Sequence, residues 1–372
     1  LARTWVETCL SRHGSTCGHR DNRRFLPTRL LEISDASDQD DLSVRLYLPS
    51  ATDLELGLDY CTLSHCWGDI NDVLCLTASA LQPFQQAIPV AKMPATYIDA
   101  LRITRSIGVR YLWIDSLCIL QDSLDDWAQE ASAMASVYEN TYCNIAAAAA
   151  KDSRDGCYAT RNPFTFAPCR ISTTTDNREL YAHLYWFEGT LEQLERRSES
   201  GLFSRAWILQ ELLLSPRVLY FGPKGLCFAC KKLRASERNV NGEVHSFSPP
   251  LLLPLYRKSA ASTALRSFQW ATQNMIPDSQ FPHNLHSVWF DIVSRYSELA
   301  LSVAGDKLVA LAGVAERIIA ARSSGDEYLA GLWRSTFLSD LLWYPNNRRA
   351  RPQLSLEFRA PTWSWASAEG KV

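Results

Sequence analysis

Apolar runs and amphipathic stretches alternate between residues 60 and 149 and predict three strands separated by two helices. Residues 60–66 form a β-prone run that ends in the turn signal Trp67-Gly68-Asp69. Residues 110–119 and 142–149 are mostly apolar, which is typical of strands buried on both faces. Such alternation implies right-handed crossovers, so this segment predicts a mainly parallel sheet.

Both predicted helices have recognisable start signals. Pro94 opens the first helix, which runs to about Ile107 and is closed by Gly108. Ser123 is a good N-cap for the second helix, and acidic residues follow it in the first turn. The second helix has a single apolar stripe, formed by Trp127, Ala131, Met134 and Tyr138.

The rest of the chain is less periodic. We predict an N-terminal lead-in at residues 1–58, an α/β core at 59–160 and an α+β C-terminal extension at 161–372. Because no long flexible linker separates the halves, the extension is expected to pack against the core. Its predicted elements are helices at 204–214, 287–302, 307–321 and 332–343, a strand at 217–221, loops over 231–284 and an aromatic strand-like end at 360–367.

Composition excludes several classes of protein. Hydrophobic residues make up 47% and charged residues 21%, the balance of a globular protein, and the net charge of −2 gives no electrostatic basis for binding nucleic acid. No apolar run is long enough to span a bilayer. The eleven cysteines are an odd number in apolar contexts, which suits reduced thiols better than a disulfide framework. We therefore expect a cytoplasmic protein with no membrane span.

Several blocks of the sequence resemble one known family. The runs LSHCWG (63–68) and WIDSLCI (113–119), with the DW and M..VY patterns downstream, resemble the fungal heterokaryon incompatibility (HET) domain. The runs SRAWILQELLL (204–214) and PTWSWAS (361–367) resemble segments that commonly follow that domain. One departure is Leu213, because the family usually has Arg there.

This resemblance implies a fungal protein of non-self recognition and of cell death after fusion of incompatible hyphae. The HET domain is also distantly similar to TIR domains, some of which cleave NAD with a glutamate on a helix. The implied fold is a flavodoxin/TIR-like core. No cofactor is firmly implied, and NAD is a candidate substrate.

Candidate site residues lie where the predicted parallel strands end, because ligands of open α/β sheets bind beyond the carboxyl ends of the strands. We predict that polar residues after the first and second strands bind a small-molecule or nucleotide ligand. They are Ser64, Cys66, Trp67 and Gly68 from the first strand, and Ser116 and Gln121 from the second strand and its loop. Trp67 is either a stacking platform for a planar ring or a core residue.

Glu130 is the predicted catalytic carboxylate. It lies in the second turn of the helix after that loop, about 60° from the centre of the apolar stripe, so partial desolvation should raise its pKa. In that role it stabilises an oxocarbenium-like centre during N-glycosidic cleavage. The alternative is a capping or ion-pairing residue near the helix N-terminus.

Three further residues have two interpretations each. His65 is either a proton shuttle or a side chain that satisfies a backbone carbonyl. Asp115, predicted in a buried strand, is either catalytic or hydrogen-bonded to loop amides. Glu211 either pairs with Arg205 or Arg217, or belongs to the pocket opposite Glu130.

No metal site is predicted. Cys9, His13, Cys17 and His19 have spacings that a zinc site uses, but four ligands so close in a loop form no standard module. Cys227 and Cys230 form a lone CxxC without a second pair. Cys66 and Cys118 are in apolar surroundings that raise the pKa of a thiol, which argues against nucleophiles.

Three functions therefore stay open: an NAD-cleaving or nucleotide-cleaving enzyme, a biosynthetic enzyme acting on a fungal secondary metabolite, and a non-catalytic signalling module. The third would assemble with itself or with a signalling partner. For the second, the aromatic C-terminal half would form a pocket of several hundred cubic ångströms.

Overall fold

A computed structural model describes most of the chain. The described residues are 1–18, 25–34, 42–69, 73–161, 169–174, 176, 178–182, 201–244, 282–321, 325–344 and 358–372. The predicted loops at 231–284 lie partly outside this set, and the described part of that range contains two short strands, Leu233–Ser236 and Glu243–Val244, which the prediction missed.

A mixed sheet of nine strands dominates the described structure, in the spatial order β11-β10-β9-β8-β5-β3-β4-β1-β2. Two further two-stranded sheets pair β6 with β7 and β12 with β13. The strands are β1 (Leu30–Ile33), β2 (Val44–Tyr47), β3 (Tyr60–Ser64), β4 (Tyr111–Trp113), β5 (Cys143–Ala146), β6 (Cys169–Thr173), β7 (Glu179–Ala182), β8 (Arg217–Gly222), β9 (Gly225–Cys230), β10 (Leu233–Ser236), β11 (Glu243–Val244), β12 (Tyr328–Leu329) and β13 (Leu332–Trp333).

Helices connect and cover these strands. They are α1 (Ala2–Arg12), α2 (Gly14–Cys17), α3 (Ala51–Glu55), α4 (Leu81–Gln86), α5 (Ala95–Ser106), α6 (Asp115–Cys118), α7 (Leu124–Glu139), α8 (Trp207–Leu214), α9 (Pro282–Tyr296), α10 (Val309–Ala321) and α11 (Phe337–Asp340). Short 3₁₀ turns occur at Val90–Lys92, Gly201–Ser204, Ala304–Lys307, Arg334–Thr336 and Trp365–Ser367. Among the described residues, none of the helices is long and apolar enough to cross a bilayer.

The centre of the sheet is parallel, as the alternating pattern predicts. Strand β3 pairs in parallel with β4 on one side and with β5 on the other, and β5 pairs in parallel with β8. The strands outside this group are antiparallel: β1 pairs with β4, and β9 pairs with β8. Strands from the predicted lead-in and extension thus hydrogen-bond into the same sheet as the core strands.

The predicted strand at residues 110–119 is wrong beyond Trp113. Asp115 begins the one-turn helix α6, and its Oδ1 accepts a hydrogen bond of 2.8 Å from the Ser116 amide. Such a local bond to the backbone competes with extended structure. A buried apolar run also cannot be divided into strand and helix by periodicity alone, since both are apolar on every side.

Two C-terminal predictions are also wrong. In place of a helix at 332–343 the chain forms β13, a 3₁₀ turn and α11, because the Asp340 carboxylate accepts a 2.9 Å bond from the Trp333 amide. The aromatic end at 360–367 is a turn followed by a 3₁₀ helix, with Ser364 as its cap. The predicted helices at 204–214, 287–302 and 307–321 are confirmed as α8, α9 and α10, with shifted ends.

Helix α10 approaches α7 unusually closely. A Cβ on Gly313 would lie 2.2 Å from the Cβ of Ala135, so only glycine fits there. The Gly313 amide also donates a 3.1 Å hydrogen bond to Oε1 of Gln210 on α8. This contact fixes three helices against one another and positions α8, which contributes a carboxylate to the candidate site.

Candidate functional site

Polar side chains gather at the carboxyl ends of β3 and β4, the edge where the sequence places the ligand site. Strand β3 delivers Ser64 and the residues after it, while β4 leads directly into α6. Helices α5 and α8 add side chains from either side. We call this group the strand-end cluster; its members are Ser64, His65, Trp67, Tyr97, Asp115, Ser116, Asn144, Arg205 and Glu211.

Glu211 anchors one side of the strand-end cluster. Ser64 Oγ donates a short hydrogen bond to Glu211 Oε2 and accepts one of 3.0 Å from Asn144 Nδ2. Both Ser64 and Glu211 are buried. Burial raises the pKa of Glu211, while the nearby Arg205 charge and the Ser64 hydroxyl oppose that rise. Glu211 is therefore a desolvated carboxyl group held in place by a serine.

His65 forms the middle of the strand-end cluster. Its Nε2 lies 3.1 Å from the Tyr97 hydroxyl, which in turn lies 2.6 Å from Ser116 Oγ. Burial lowers the pKa of His65 to about 4; the Asp115 charge opposes this shift and the Arg205 charge adds to it. The ring is therefore neutral at physiological pH. Among the described residues its buried Nδ1 has no hydrogen-bond partner.

One of the two interpretations of His65 was that its ring donates a hydrogen bond to a backbone carbonyl. Within the described structure the ring makes no such bond. Instead, its own carbonyl oxygen accepts a short hydrogen bond from Nη1 of Arg205. Burial lowers the pKa of Arg205, but the carboxylates of Glu211 and Asp115 outweigh that effect and the net direction is upward. Arg205 is therefore a permanent cation beside the histidine.

Trp67 and Asp115 form the outer, half-buried side of the strand-end cluster. Trp67 Nε1 donates a 2.9 Å hydrogen bond to Asp115 Oδ2, which fixes the orientation of the indole. Asp115 also accepts the bond from the Ser116 amide, so the predicted bonding to a backbone amide is present. Gln121 is exposed, and its Nε2 donates to the carbonyl of Asp115 at 3.2 Å.

Gly68 completes the turn after β3. Its φ of +80° favours glycine, and a Cβ there would lie 2.6 Å from the Cβ of Asp152. The neighbouring Cys66 is buried, and desolvation raises the pKa of its thiol. Cys118 is buried as well, and burial raises the pKa of its thiol. Neither cysteine has the depressed pKa of an activated nucleophile.

Glu130 lies in a different polar group. Its Oε1 accepts a 2.5 Å hydrogen bond from Thr28 Oγ1 and one of 3.2 Å from Arg29 Nη2, and Arg29 also binds Asp126 at 2.6 Å. Burial raises the pKa of Glu130, the direction that the sequence predicts, although Thr28 and Arg29 oppose it. We call these four residues the Arg29 cluster.

The expected convergence of three segments is met only in part. The turn after β3 and the exit from β4 meet through the bond between Trp67 and Asp115. Glu130 is buried, yet its hydrogen bonds to described residues go to Thr28 and Arg29 rather than to His65 or Asp115. Trp127, predicted in the apolar stripe of α7, is 36% exposed, and Glu130 is buried on that helix instead.

Sequence reasoning did not identify four of the residues in these two groups: Thr28, Arg29, Asn144 and Tyr97. Thr28 and Arg29 precede β1 in a segment without periodicity, so nothing there pointed to Glu130. Asn144 did carry a signal, because a lone amide in the apolar run of β5 must find hydrogen-bond partners. Tyr97 had no signal beyond its place in α5.

Two other features of the described structure could hold a ligand. Cys9, His13, Cys17 and Cys230 bring their ligand atoms to within 4.8 Å of one another. A cleft of about 480 Å³ lies between α9 and the C-terminal residues. Its walls include Phe290, Trp343 and Trp365.

Comparison with protein families gives one match. Residues 60–211 match the family model described as heterokaryon incompatibility protein (HET). A comparison with curated proteins finds no match, and a comparison with solved structures finds none either. The matched segment begins with β3 and ends at Glu211, so it contains both candidate carboxylates, Glu130 and Glu211. Residues 60–211 are therefore a segment similar to the heterokaryon incompatibility (HET) family.

Proposed function

We propose that this chain acts in fungal non-self recognition as a cytoplasmic nucleotide glycohydrolase that cleaves NAD or a related dinucleotide at the strand-end cluster. Loss of the nucleotide would lead to cell death. The observation that carries the proposal is the buried Glu211 carboxyl group, hydrogen-bonded to Ser64 at the carboxyl edge of the parallel strands. Ligands of open α/β sheets bind at this edge.

The order of the parallel strands supports a flavodoxin/TIR-like core. Numbered along the chain, β3, β4, β5 and β8 are the first to fourth parallel strands, and their spatial order is second, first, third, fourth. This is the order of doubly wound flavodoxin-like sheets, whose ligand site lies between the first and third strands. Ser64 on β3 and Asn144 on β5 occupy that position.

The chemistry follows from the charges of the cluster. When the bond between nicotinamide and ribose breaks, its electron pair goes to the ring nitrogen, so the leaving group needs no proton and positive charge develops on the ribose. A carboxylate in a largely desolvated site stabilises such a cation far better than it would in bulk water. One water molecule then adds to the ribose cation and its proton is released to solvent, which completes the hydrolysis. We assign this role to Glu211.

The other residues would bind and orient the substrate. The half-buried Trp67, fixed by Asp115, offers an indole face to a planar ring. The buried Nδ1 of His65 lacks a hydrogen-bond partner among the described residues, so a polar group of the substrate that reached it would satisfy this nitrogen. Arg205 supplies a positive charge that suits phosphate.

The test is whether the purified chain releases nicotinamide from NAD, with the nicotinamide measured by chromatography. Glu211→Gln keeps the size of the side chain and its bond from Ser64 but removes the charge. We expect this variant to lose activity by about 10²–10³-fold, the usual effect of removing one preorganised electrostatic contact. Glu55→Gln, an exposed carboxylate on α3, is the matched control and should keep full activity.

A chain that releases no nicotinamide, whether monomeric or assembled, would contradict the proposal. It would leave a non-catalytic module that assembles with itself or with a signalling partner. In that case substitutions at Glu211, His65 and Asp115 would spare cell death in the fungus, whereas surface substitutions would abolish it.

A second candidate function is supported by the aromatic cleft. Its volume of about 480 Å³ lies in the range of small-molecule pockets, and Trp343, Trp365 and Phe290 line it. This arrangement suits a biosynthetic enzyme acting on an aromatic secondary metabolite. Native mass spectrometry of the chain purified from a fungal host tests it: a bound metabolite that is lost in Ser294→Trp, which fills the cleft, would favour this function over nucleotide cleavage.

A further inference from the structure

Four metal-ligating side chains meet beside the end of β9, an inner strand of the nine-stranded sheet. The ligand atoms of Cys9, His13, Cys17 and Cys230 all lie within 4.8 Å of one another. The distance between Cys230 Sγ and His13 Nδ1 is 3.6 Å. The three cysteines are buried and the histidine is partly buried.

Two distant parts of the chain build this group. Cys9 lies in the last turns of α1, His13 caps that helix four residues later, and Cys17 ends α2. Cys230 is the last residue of β9. Apolar packing holds α1 on the sheet, since Trp5 stacks on Phe228 with ring centroids 6.0 Å apart. The four ligands are therefore brought together by the fold itself.

The spacing fits a tetrahedral ion. With Zn–S bonds of about 2.3 Å and a Zn–N bond of about 2.0–2.1 Å, tetrahedral angles put two sulfurs about 3.8 Å apart and a sulfur and a nitrogen about 3.6 Å apart. The 3.6 Å between Cys230 Sγ and His13 Nδ1 matches the expected distance between a sulfur and a nitrogen ligand. The ligand atoms of the group lie at most 4.8 Å apart, which exceeds the expected distances by about 1 Å. We propose that Cys9, His13, Cys17 and Cys230 bind one structural Zn²⁺ ion.

The surroundings have the charge that such a site needs. Three thiolates and one Zn²⁺ carry a net charge of −1, and the buried Arg217 guanidinium lies beside them. Its Nη1 donates to Cys9 Sγ at 3.9 Å, and its Nε donates to the Tyr142 carbonyl at 2.6 Å. Within the described ranges, no carboxylate forms an ion pair with Arg217. A buried cation needs a counter-charge, and the zinc–thiolate group supplies it.

A backbone amide also supports the sulfur ligands. The Leu233 amide donates a 3.2 Å hydrogen bond to Cys230 Sγ, across the turn between β9 and β10. Hydrogen bonds of this kind orient metal ligands and stabilise the thiolate form. Because the protein supplies all four ligands, the site is closed and its role is structural. Zinc would link α1 and α2 to strand β9, although more than 200 residues of chain separate Cys17 from Cys230.

A disulfide is the alternative chemistry for this group. One disulfide would use two of the three cysteines and leave the third thiol beside His13 without a role. The three cysteines are free thiols in the structure, as is Cys227. Cys227 is the other half of the CxxC pair and lies outside the group, so it provides a matched control in the same strand.

Metal content of the full chain tests the proposal directly. We expect one zinc per chain by elemental analysis of wild type and of Cys227→Ser, and none in Cys230→Ser. Replacing zinc with Co²⁺ should give the intense visible absorption of a tetrahedral site and charge-transfer bands from thiolates. Chelation should lower the Tm of the wild type and leave that of Cys230→Ser unchanged.

If Cys230→Ser does not fold, the accessibility of the cysteines to alkylation in the wild type provides a second test. We expect Cys9, Cys17 and Cys230 to resist alkylation until a chelator is added, while the exposed Cys169 reacts throughout. The proposal is overturned if the reduced chain contains no metal and takes up none, if another metal occupies the site at one equivalent, or if two of the three cysteines are joined in the freshly purified chain.

Discussion

The low pKa of His65 predicts a specific dependence of stability on pH. The folded chain keeps this ring neutral because burial lowers its pKa to about 4, whereas the exposed ring of the unfolded chain has the ordinary value of about 6.5. Above pH 6.5 the ring is neutral in both states and makes no difference. As the pH falls below 6.5, His65 takes up a proton in the unfolded state but stays neutral in the folded state. The free energy of unfolding therefore falls with pH until about pH 4, where the folded state also takes up the proton.

The size of this effect follows from the two pKa values. Between pH 7.5 and pH 5.0 the free energy of unfolding should fall by about 2 kcal/mol through His65, and the complete loss below pH 4 is about 3 kcal/mol. The chain has seven histidines and many carboxylates, so the wild type alone cannot isolate this contribution. His65→Gln removes the titrating group and keeps a polar nitrogen for the Tyr97 hydroxyl.

Urea unfolding at pH 7.5 and pH 5.0 provides the measurement. We expect the loss of stability on acidification to be about 2 kcal/mol smaller in His65→Gln than in the wild type, whatever the variant's stability at pH 7.5. Equal losses in the two proteins would refute the reasoning. They would mean that the imidazole reaches water or gains a partner in the folded chain.

Two further predictions concern the packing around the site. Gly313→Ala forces a Cβ against Ala135 on α7 and should lower the free energy of unfolding by about 1–3 kcal/mol, measured by urea unfolding. An unchanged urea midpoint would mean that α7 and α10 separate freely to accommodate the methyl group. Arg29→Met leaves the buried Glu130 without its cation, so the free energy of unfolding at pH 7.5 should fall by about 3–5 kcal/mol. The loss should be smaller in the double variant that also carries Glu130→Gln. Equal losses in the single and double variants would show that Arg29 and Glu130 are not coupled.

The periodic parts of the fold could be predicted from the sequence. Helices α5 and α7 have start signals and apolar stripes, and the parallel centre of the sheet follows from the alternation of strands and helices. Asp115 was misplaced because a one-turn helix inside a buried run has no period of its own. Trp127 continued the stripe of α7 by spacing, but at the start of that helix it is exposed and Glu130 is the buried residue.

The sites depend on contacts between distant segments, which spacing along the chain does not reveal. Arg29 reaches Glu130 across 101 residues, and Cys230 joins Cys9, His13 and Cys17 from a hairpin in the second half of the chain. The short spacing of the first three ligands and the lone CxxC each argue against a metal site when taken alone. Only the sheet, which places β9 beside α1, brings them together.

The comparison of two carboxylates tests the central claim most directly. Rates of nicotinamide release should be measured for Glu211→Gln and Glu130→Gln at equal fractions of folded chain, established by circular dichroism. If the strand-end cluster is catalytic, Glu211→Gln loses about 10²–10³-fold and Glu130→Gln changes little beyond its effect on stability. Activity that survives in Glu211→Gln and disappears in Glu130→Gln would contradict the account and place the chemistry in the Arg29 cluster.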